Sequence, residues 1–96
     1  MSVFAVIEIK VNDLEMYGQY RDKVKPIVEK YGGKYVIRGG KVTVFFGEWD
    51  PERIVVIEFP SARHLKCCFS CPEYKEIAPL RERSTVSKLI MIENNV

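Results

Sequence analysis

The hydrophobic period of the chain changes twice within its first 34 residues. From Ser2 to Val11, a wholly apolar register alternates with one that mixes apolar and charged residues, which predicts a strand with two partly buried faces. Asn12 and Asp13 can cap the helix that follows, because apolar residues then recur every three or four positions: Leu14, Tyr17, Tyr20, Val24, Ile27, Val28 and Tyr31. We expect Pro26 to kink this helix and Gly32–Gly33 to end it.

A period of two begins again at Lys34 and predicts a second strand. In this pattern Tyr35 and Ile37 point to one side, and Arg38 points to the other. The run KVTVFF repeats the alternation after Gly39–Gly40, so this glycine pair is either a bend in one long strand or a tight hairpin. We favour the bend, because the GEWDPER that follows is already a turn.

The second half of the chain predicts one more strand, a helical region and a last strand. Residues 54–59, IVVIEF, are almost continuously apolar, as in a central strand that is covered on both faces. Pro60 and Ser61 end this strand and cap a helical region over residues 62–83, which should break at Pro72 and allows a second break at Pro79. Residues 85–93 form the last strand.

The predicted order is β, α, β, β, α, β, which predicts an α+β, ferredoxin-like plait in a single domain over residues 1–96. Right-handed crossovers place both helices on one face of a four-stranded antiparallel sheet. The other face would carry Glu8 and Glu58 beside four apolar residues: Phe4, Val6, Ile54 and Val56. We therefore expect a homodimer whose two sheets pack face to face, so that the carboxylates line a pocket between the subunits.

Composition narrows the possible partners. Hydrophobic residues make up 47% of the chain, and 15 basic and 13 acidic residues are mixed along it, with a net charge of +2. No basic block indicates nucleic acid, and the apolar start is too short and too charged to span a membrane, so we expect a cytoplasmic protein. The three cysteines are clustered rather than spaced like a disulfide framework, and we expect them to be reduced thiols.

The central sequence also resembles a known family. KYGGKYVIRGG, the GEWDPERIVVIEFPS that follows it, and the later SCPEY with Arg81 resemble the uncharacterised family called domain of unknown function 1330, in the dimeric α/β-barrel superfamily. The resemblance implies a homodimer whose two ferredoxin-like sheets close into a barrel around a pocket. The superfamily also contains cofactor-free monooxygenases, small-molecule isomerases, haem-degrading enzymes and regulatory ligand-binding modules.

The chain departs from the family pattern near its second helix. The family has an aromatic pair before Ser-Pro-Glu-Tyr, whereas this chain has Cys68, Phe69 and Ser70, and then Cys71 before the proline. His64, Cys67, Cys68 and Cys71 consequently share helical spacing and could hold a metal. Small buried cysteines are common on amphipathic helices, so we expect no metal at this cluster.

Five residues are candidates for a functional site. Arg38, beside the glycine bend, could bind a carboxylate or enolate through two hydrogen bonds, or form a structural ion pair with Glu58 or Glu48. Glu58 lies in an apolar strand, where loss of solvation favours its protonated form and suits a proton shuttle; an ion pair with Arg38 or Arg81 is the alternative. The remaining candidates are His64 as the only histidine, Trp49 as a pocket lid or dimer contact, and Glu8 as a pocket carboxylate.

Two classes of function follow from these candidates. One is an enzyme without a bound cofactor, in which Glu58 or His64 moves a proton on a carbonyl or phenolic substrate and Arg38 stabilises the oxyanion. The other is a binding module that holds a small apolar acid in the same pocket. Haem binding with His64 as axial ligand is a third possibility that the superfamily suggests, although we expect no cofactor.

Overall fold

The computed structural model describes residues 2–94 and has a ferredoxin-like architecture. Four antiparallel strands lie in the order β2-β3-β1-β4, and a layer of helices packs on one face of this sheet. The elements are β1 (Val3–Val11), α1 (Leu14–Lys30), β2 (Lys34–Arg38), β3 (Arg53–Phe59), α2 (Ala62–Ser70), α3 (Pro72–Ser84) and β4 (Thr85–Glu93). The fold class predicted from the hydrophobic pattern is therefore confirmed.

In the two central strands, residues that alternate along the sequence lie on opposite faces of the sheet. On β1, Val3, Ala5 and Ile9 are buried against the helices, and on β3 the buried residues are Val55, Ile57 and Phe59. The residues between them point to the opposite face, which we call the open face; it includes Phe4, Val6, Glu8, Ile54, Val56 and Glu58. Large apolar side chains of β4 on this face, such as Ile90 and Ile92, are exposed.

Helix α1 begins and ends as the sequence predicts. Asp13 caps its start, since the carboxylate accepts a hydrogen bond from the Met16 amide at 3.1 Å. At its end, Gly32 has a φ of 82° and donates its amide hydrogen to Glu29, while the Gly33 amide donates to Val28. This pair of bonds is a Schellman motif, so the first glycine pair is a helix terminator.

A β-bulge changes the orientation of Arg38 from the one that simple alternation predicts. Tyr35 lies opposite Ile57, but Ile37 lies opposite Val56, so β2 contains one extra residue at this point. The extra residue returns Arg38 to the face of Tyr35, where the helices lie. The ion pair between Arg38 and Glu58, one of the alternatives that the sequence allowed, does not form for this reason, because Glu58 lies on the open face.

The second glycine pair ends β2 instead of bending it. Gly39 and Gly40 both have positive φ angles, 88° and 118°, and the Gly39 amide still donates to the Ile54 carbonyl. Beyond them the run KVTVFF, residues 41–46, is not paired in the sheet and is exposed throughout; Phe45 and Phe46 are 90% and 93% exposed. The predicted long strand was therefore wrong, although the run keeps the period of a strand.

The predicted helical region over residues 62–83 is two helices. Ser61 caps α2 by accepting from the His64 amide, and Cys71 separates α2 from α3 in an extended conformation. Pro72 then occupies the first turn of α3, where a proline needs no amide hydrogen. The predicted break at Pro72 is confirmed, whereas α3 continues through Pro79 to Ser84.

Candidate functional site in the helix–sheet cavity

A cavity of about 260 Å³ lies between the helix layer and the covered face of the sheet. Its walls are mainly apolar and aromatic, from Ile7 and Ile57 on the sheet to Val24 and Phe69 on the helices. Lys88, Arg21 and Leu89 also line it and are exposed, so they mark where the cavity meets solvent. Mostly apolar walls with a few polar groups are typical of a small-molecule site.

A chain of hydrogen bonds crosses one end of this cavity. The hydroxyl oxygens of Tyr20 and Tyr74 are 2.9 Å apart, and Arg81 donates from Nε to the Tyr74 oxygen at 3.1 Å. Arg81 also donates from Nη1 to Oγ of Ser87 at 2.8 Å. This network ties α1, α3 and β4 together and fixes the position of the Arg81 guanidinium, whose side chain stays 28% exposed.

Arg38 lies at the opposite edge of the sheet. Its guanidinium is stacked on the Tyr35 ring, with Cζ 4.5 Å from the ring centroid, and Nη2 donates to the Arg21 carbonyl at 2.6 Å. Ion pairs within residues 2–94 do not include Arg38, so most of its five N–H donors remain available. Because Arg38 is on β2 and Ser87 on β4, their backbones are separated by three strand spacings, or roughly 14 Å.

Two tyrosines of the cavity, Tyr20 and Tyr35, remain neutral well above neutral pH. Burial raises the pKa of Tyr35 to about 12, although the nearby Arg38 opposes the shift. Burial also raises the pKa of Tyr20, and its hydrogen bond to Tyr74 adds to this effect. Both hydroxyls therefore act as hydrogen-bond donors and acceptors rather than as bases.

The charge of the cavity has one sign. Arg21, Arg38 and Arg81 line it, whereas none of its lining residues within 2–94 is an aspartate, a glutamate or a histidine. Lys88 also borders the cavity, but it lies opposite Glu8 in the register of the open face. Arg81 has one weak acidic neighbour outside the cavity wall, since Nη2 is 3.8 Å from the exposed carboxylate of Glu82. Cations in a largely apolar enclosure favour an anionic guest.

The residues that we proposed as proton carriers lie outside this cavity. Glu58 is on the open face opposite Phe4 and Lys34. His64 is exposed, and its Nδ1 is 2.7 Å from the hydroxyl of Ser61. Neither residue lines the cavity, so neither is brought together with Arg38.

Two predicted ligand-binding residues meet on the open face. Trp49 lies in the exposed loop between β2 and β3, and its indole Nε1 donates to the Glu8 carboxylate at 3.3 Å. The loop and Ile54 form a shallower depression beside this contact. The structure thus divides the predicted site: Glu8 and Trp49 lie together on one face, and Arg38 lies on the other.

The predicted cysteine cluster is not arranged like a metal site. Within residues 2–94, no three histidine, cysteine, aspartate or glutamate side chains are close enough to hold a metal ion. Cys68 and Cys71 are buried, whereas Cys67 and His64 are exposed.

The cavity residues on α1 and α3 were missed in the sequence, although their helical spacing was a signal that they share a face. Tyr74 and Arg81 are seven residues apart, which is two turns of α3, and so they share a face. Tyr17, Tyr20 and Val24 follow the same rule on α1. Their convergence needs the crossing of the two helices over the sheet, which periodicity does not specify.

Comparison with known families agrees with this architecture. The model of the family described as domain of unknown function (DUF1330) matches residues 2–95. The chain belongs to the DUF1330 family. The resemblance proposed from KYGGKYVIRGG and the neighbouring motifs is therefore confirmed, while no curated protein matches this DUF1330 chain.

Solved structures similar to this DUF1330 protein include one protein of unknown function and two proteins that are described by an activity. RPA0582 from Rhodopseudomonas palustris, of unknown function, has a TM-score of 0.85 at 19% identity, covering 99% of this chain and 83% of that one. SnoaB, a cofactor-independent oxygenase from Streptomyces nogalater, has a TM-score of 0.69 at 11% identity, with coverages of 99% and 94%. A putative antibiotic biosynthesis monooxygenase from Nitrosomonas europaea has a TM-score of 0.66 at 13% identity, covering 100% of both chains. At these identities the similarity establishes the fold alone.

The length and polarity of the helices bear on whether the chain spans a membrane, which the sequence predicts it does not. Within residues 2–94, no helix is both long enough and apolar enough to cross a membrane.

Proposed function

We propose that the helix–sheet cavity binds a small aromatic or otherwise apolar acid, whose anionic group is an ionised carboxylate, phenol or enol. One observation carries this proposal: an apolar and aromatic cavity is lined by arginines, and among residues 2–94 no aspartate or glutamate lines it. Arg38 is the proposed anion ligand, because its planar guanidinium can form two parallel hydrogen bonds to an oxyanion. The Tyr20–Tyr74 pair supplies hydroxyls for a second polar group of the guest.

Cofactor-independent oxygenation is a second candidate for the same cavity. The solved structure of SnoaB, described as a cofactor-independent oxygenase, shares this fold. An electron-rich phenolate or enolate can itself react with dioxygen, so the protein would need only to stabilise the anion and exclude water. Because no carboxylate or imidazole of the described part of the chain lines the cavity, this reaction requires a substrate that the arginines can hold in its ionised form.

Ligand binding can be tested with matched pairs of charged and neutral molecules. We would screen small aromatic acids and acidic phenols by thermal stabilisation, including salicylate, and compare each with a neutral partner such as salicylamide. The charged members should raise the melting temperature, and NMR shift changes should lie at Tyr35 and Tyr74. Equal stabilisation by the neutral partners would contradict an anion site.

Arg38→Met is the decisive variant for this site. It should weaken binding of the best acid at least about tenfold, because a charge-assisted hydrogen bond to the guest is lost. Arg63→Met is the matched control, since Arg63 is an exposed residue of α2 and does not line the cavity. Equal loss in both variants would indicate a general charge effect. Oxygen uptake with the acids that bind then tests the second candidate.

We also propose that the protein is a homodimer formed through the open face. In the single chain the helices leave this face uncovered, and it includes half-buried Phe4 and Val6 together with exposed Ile90 and Ile92. A second copy would cover these residues and bring Glu8 and Trp49 of each subunit into the interface. The anion cavity, by contrast, lies on the helix side of the sheet and is complete within one chain.

A further inference from the structure

The departure from the family pattern places two thiols one helical turn apart. Cys68 is in the last turn of α2, and Cys71 is the residue that separates α2 from α3. Together they form a Cys-X-X-Cys sequence whose intervening residues are Phe69 and Ser70. Both residues are buried in the hydrophobic core, and neither lines the anion cavity.

The backbone between the two cysteines has a suitable geometry for a disulfide. Residues 68–70 are helical, and side chains at positions i and i+3 of a helix have Cβ atoms about 5–6 Å apart, whereas those of a disulfide are about 3.5–4.5 Å apart, so the bond requires the two Cβ atoms to approach by roughly 1–2 Å. The Cys71 sulfur already lies over the turn, 3.1 Å from the Cys68 carbonyl oxygen. A modest side-chain rotation and a small backbone adjustment would therefore join the sulfurs.

The two thiols have different surroundings. Cys71 is the N-cap of α3; its sulfur accepts a hydrogen bond from the Tyr74 amide at 3.4 Å and donates one to the Cys68 carbonyl oxygen at 3.1 Å. Lys30 and Glu73 form an ion pair nearby, with 2.5 Å between Nζ and Oε2. Cys68 is fully buried, and this burial raises its pKa to about 12, so it remains a protonated thiol.

We propose that Cys68 and Cys71 form a reversible disulfide when the protein meets a hydroperoxide. In the first step the Cys71 sulfur attacks one peroxide oxygen, the O–O bond breaks, the thiol proton passes to the departing oxygen, and Cys71 becomes a sulfenic acid as the peroxide is reduced to an alcohol or water. In the second step the Cys68 sulfur attacks the Cys71 sulfur; the S–S bond forms, the S–O bond breaks, and the Cys68 proton leaves with the hydroxyl as water. A small hydroperoxide suits a sulfur on a residue that is 5% exposed.

The disulfide would connect this chemistry with the cavity. Phe69, which lies between the two cysteines, lines the cavity and packs edge-on against Tyr74, with ring centroids 5.0 Å apart. Closing the turn changes the position of Phe69 and hence the shape of that wall. An effect on ligand affinity rests on the proposed anion site, whereas formation of the disulfide does not.

The test uses the full chain with Cys67→Ser, so that the exposed thiol cannot react. After treatment with hydrogen peroxide, the intact mass should fall by two hydrogen atoms, both remaining thiols should resist alkylation in denaturant, and dithiothreitol should reverse both changes. The near-UV circular dichroism should also change, because the packing of Phe69 on Tyr74 changes. Two thiols that still alkylate, or a mass that rises by whole oxygen atoms, would overturn the proposal.

Matched variants assign the reaction to the pair. With Cys67→Ser as background, Cys68→Ala should accumulate oxygen adducts on Cys71 and never lose the two hydrogen atoms, whereas Cys71→Ala should react much more slowly. Peroxide-treated wild type whose disulfide joins Cys67 in peptide maps would contradict the assignment. A disulfide that forms without any change in circular dichroism would leave the thiol site intact but overturn its coupling to the cavity.

Discussion

Arg38 and Tyr35 illustrate how single residues acquire their roles from their neighbours. The two side chains stack, and both face the cavity only because the bulge in β2 restores them to the same face. Arg38 consequently meets aromatic and backbone groups instead of the Glu58 carboxylate. The guanidinium is oriented but not neutralised, which is the state that an anion-binding arginine requires.

The raised pKa of Tyr35 predicts how alkali affects the protein. The unfolded chain loses this proton near the ordinary value of 10.0, whereas the folded chain holds it until about 12. Between these values the unfolded state binds fewer protons, so the free energy of unfolding should fall as the pH rises. Denaturant unfolding at several pH values should show a smaller fall in Tyr35→Phe than in the wild type.

A spectroscopic titration provides an independent check of the same residue. The difference in phenolate absorbance between the wild type and Tyr35→Phe should rise near pH 12. A rise near pH 10 would mean that the ring is solvated and does not form part of a cavity wall.

At the scale of elements, β2 ends at Arg38, and the loop begins at Gly39, whose φ angle is positive. A Cβ at this position would lie 2.6 Å from Nη1 of Arg53, but the flexible end of that side chain can move away. The backbone angle of 88° remains unfavourable for any residue with a side chain. Gly39→Ala should therefore lower the free energy of unfolding by roughly 1–2 kcal/mol.

Gly18→Ala is a matched control for the glycine prediction. Gly18 lies within α1, and an added Cβ would have no neighbour within 4 Å. This change should raise the free energy of unfolding by about 0.5–1 kcal/mol, because alanine loses less entropy in a helix. Chemical denaturation of both variants would test the sign of each effect, and a neutral Gly39→Ala would show that the loop does not need the left-handed angle.

At the scale of the whole molecule, the open face predicts the oligomeric state. Light scattering should give about twice the 11.1 kDa chain mass, since a stable interface buries at least about 1,000 Å² and this face exposes large apolar side chains such as Ile90 and Ile92. Ile90→Lys should shift the protein towards monomer by burying an unpaired charge.

Leu14→Lys is the corresponding control for the dimer prediction, because Leu14 is also an exposed apolar residue but starts α1 away from the open face. A wild-type monomer at micromolar concentration, or equal dissociation in both variants, would contradict the sheet-to-sheet dimer. Ligand binding measured on Ile90→Lys would further show whether the cavity acts within one chain.

The sequence by itself determined the order of elements, the two faces of the central strands, and the start and end of α1. These features depend on local rules: a period of two or of 3.6, the capping carboxylate of Asp13, and the positive φ of Gly32. The break at Pro72 follows from the missing amide hydrogen in the same local way. Neighbours along the chain are enough to specify each of them.

Only the tertiary structure decided which side chains form the site. The bulge in β2 depends on how Tyr35 and Ile37 fit against β3, and a shift of one residue moves Arg38 from one face to the other. Tyr20 and Tyr74 meet across 54 positions because two helices cross over one sheet. Periodicity indicates on which face of its own helix or strand a residue lies. It does not specify the strand register or the helix crossing that brings two such faces together.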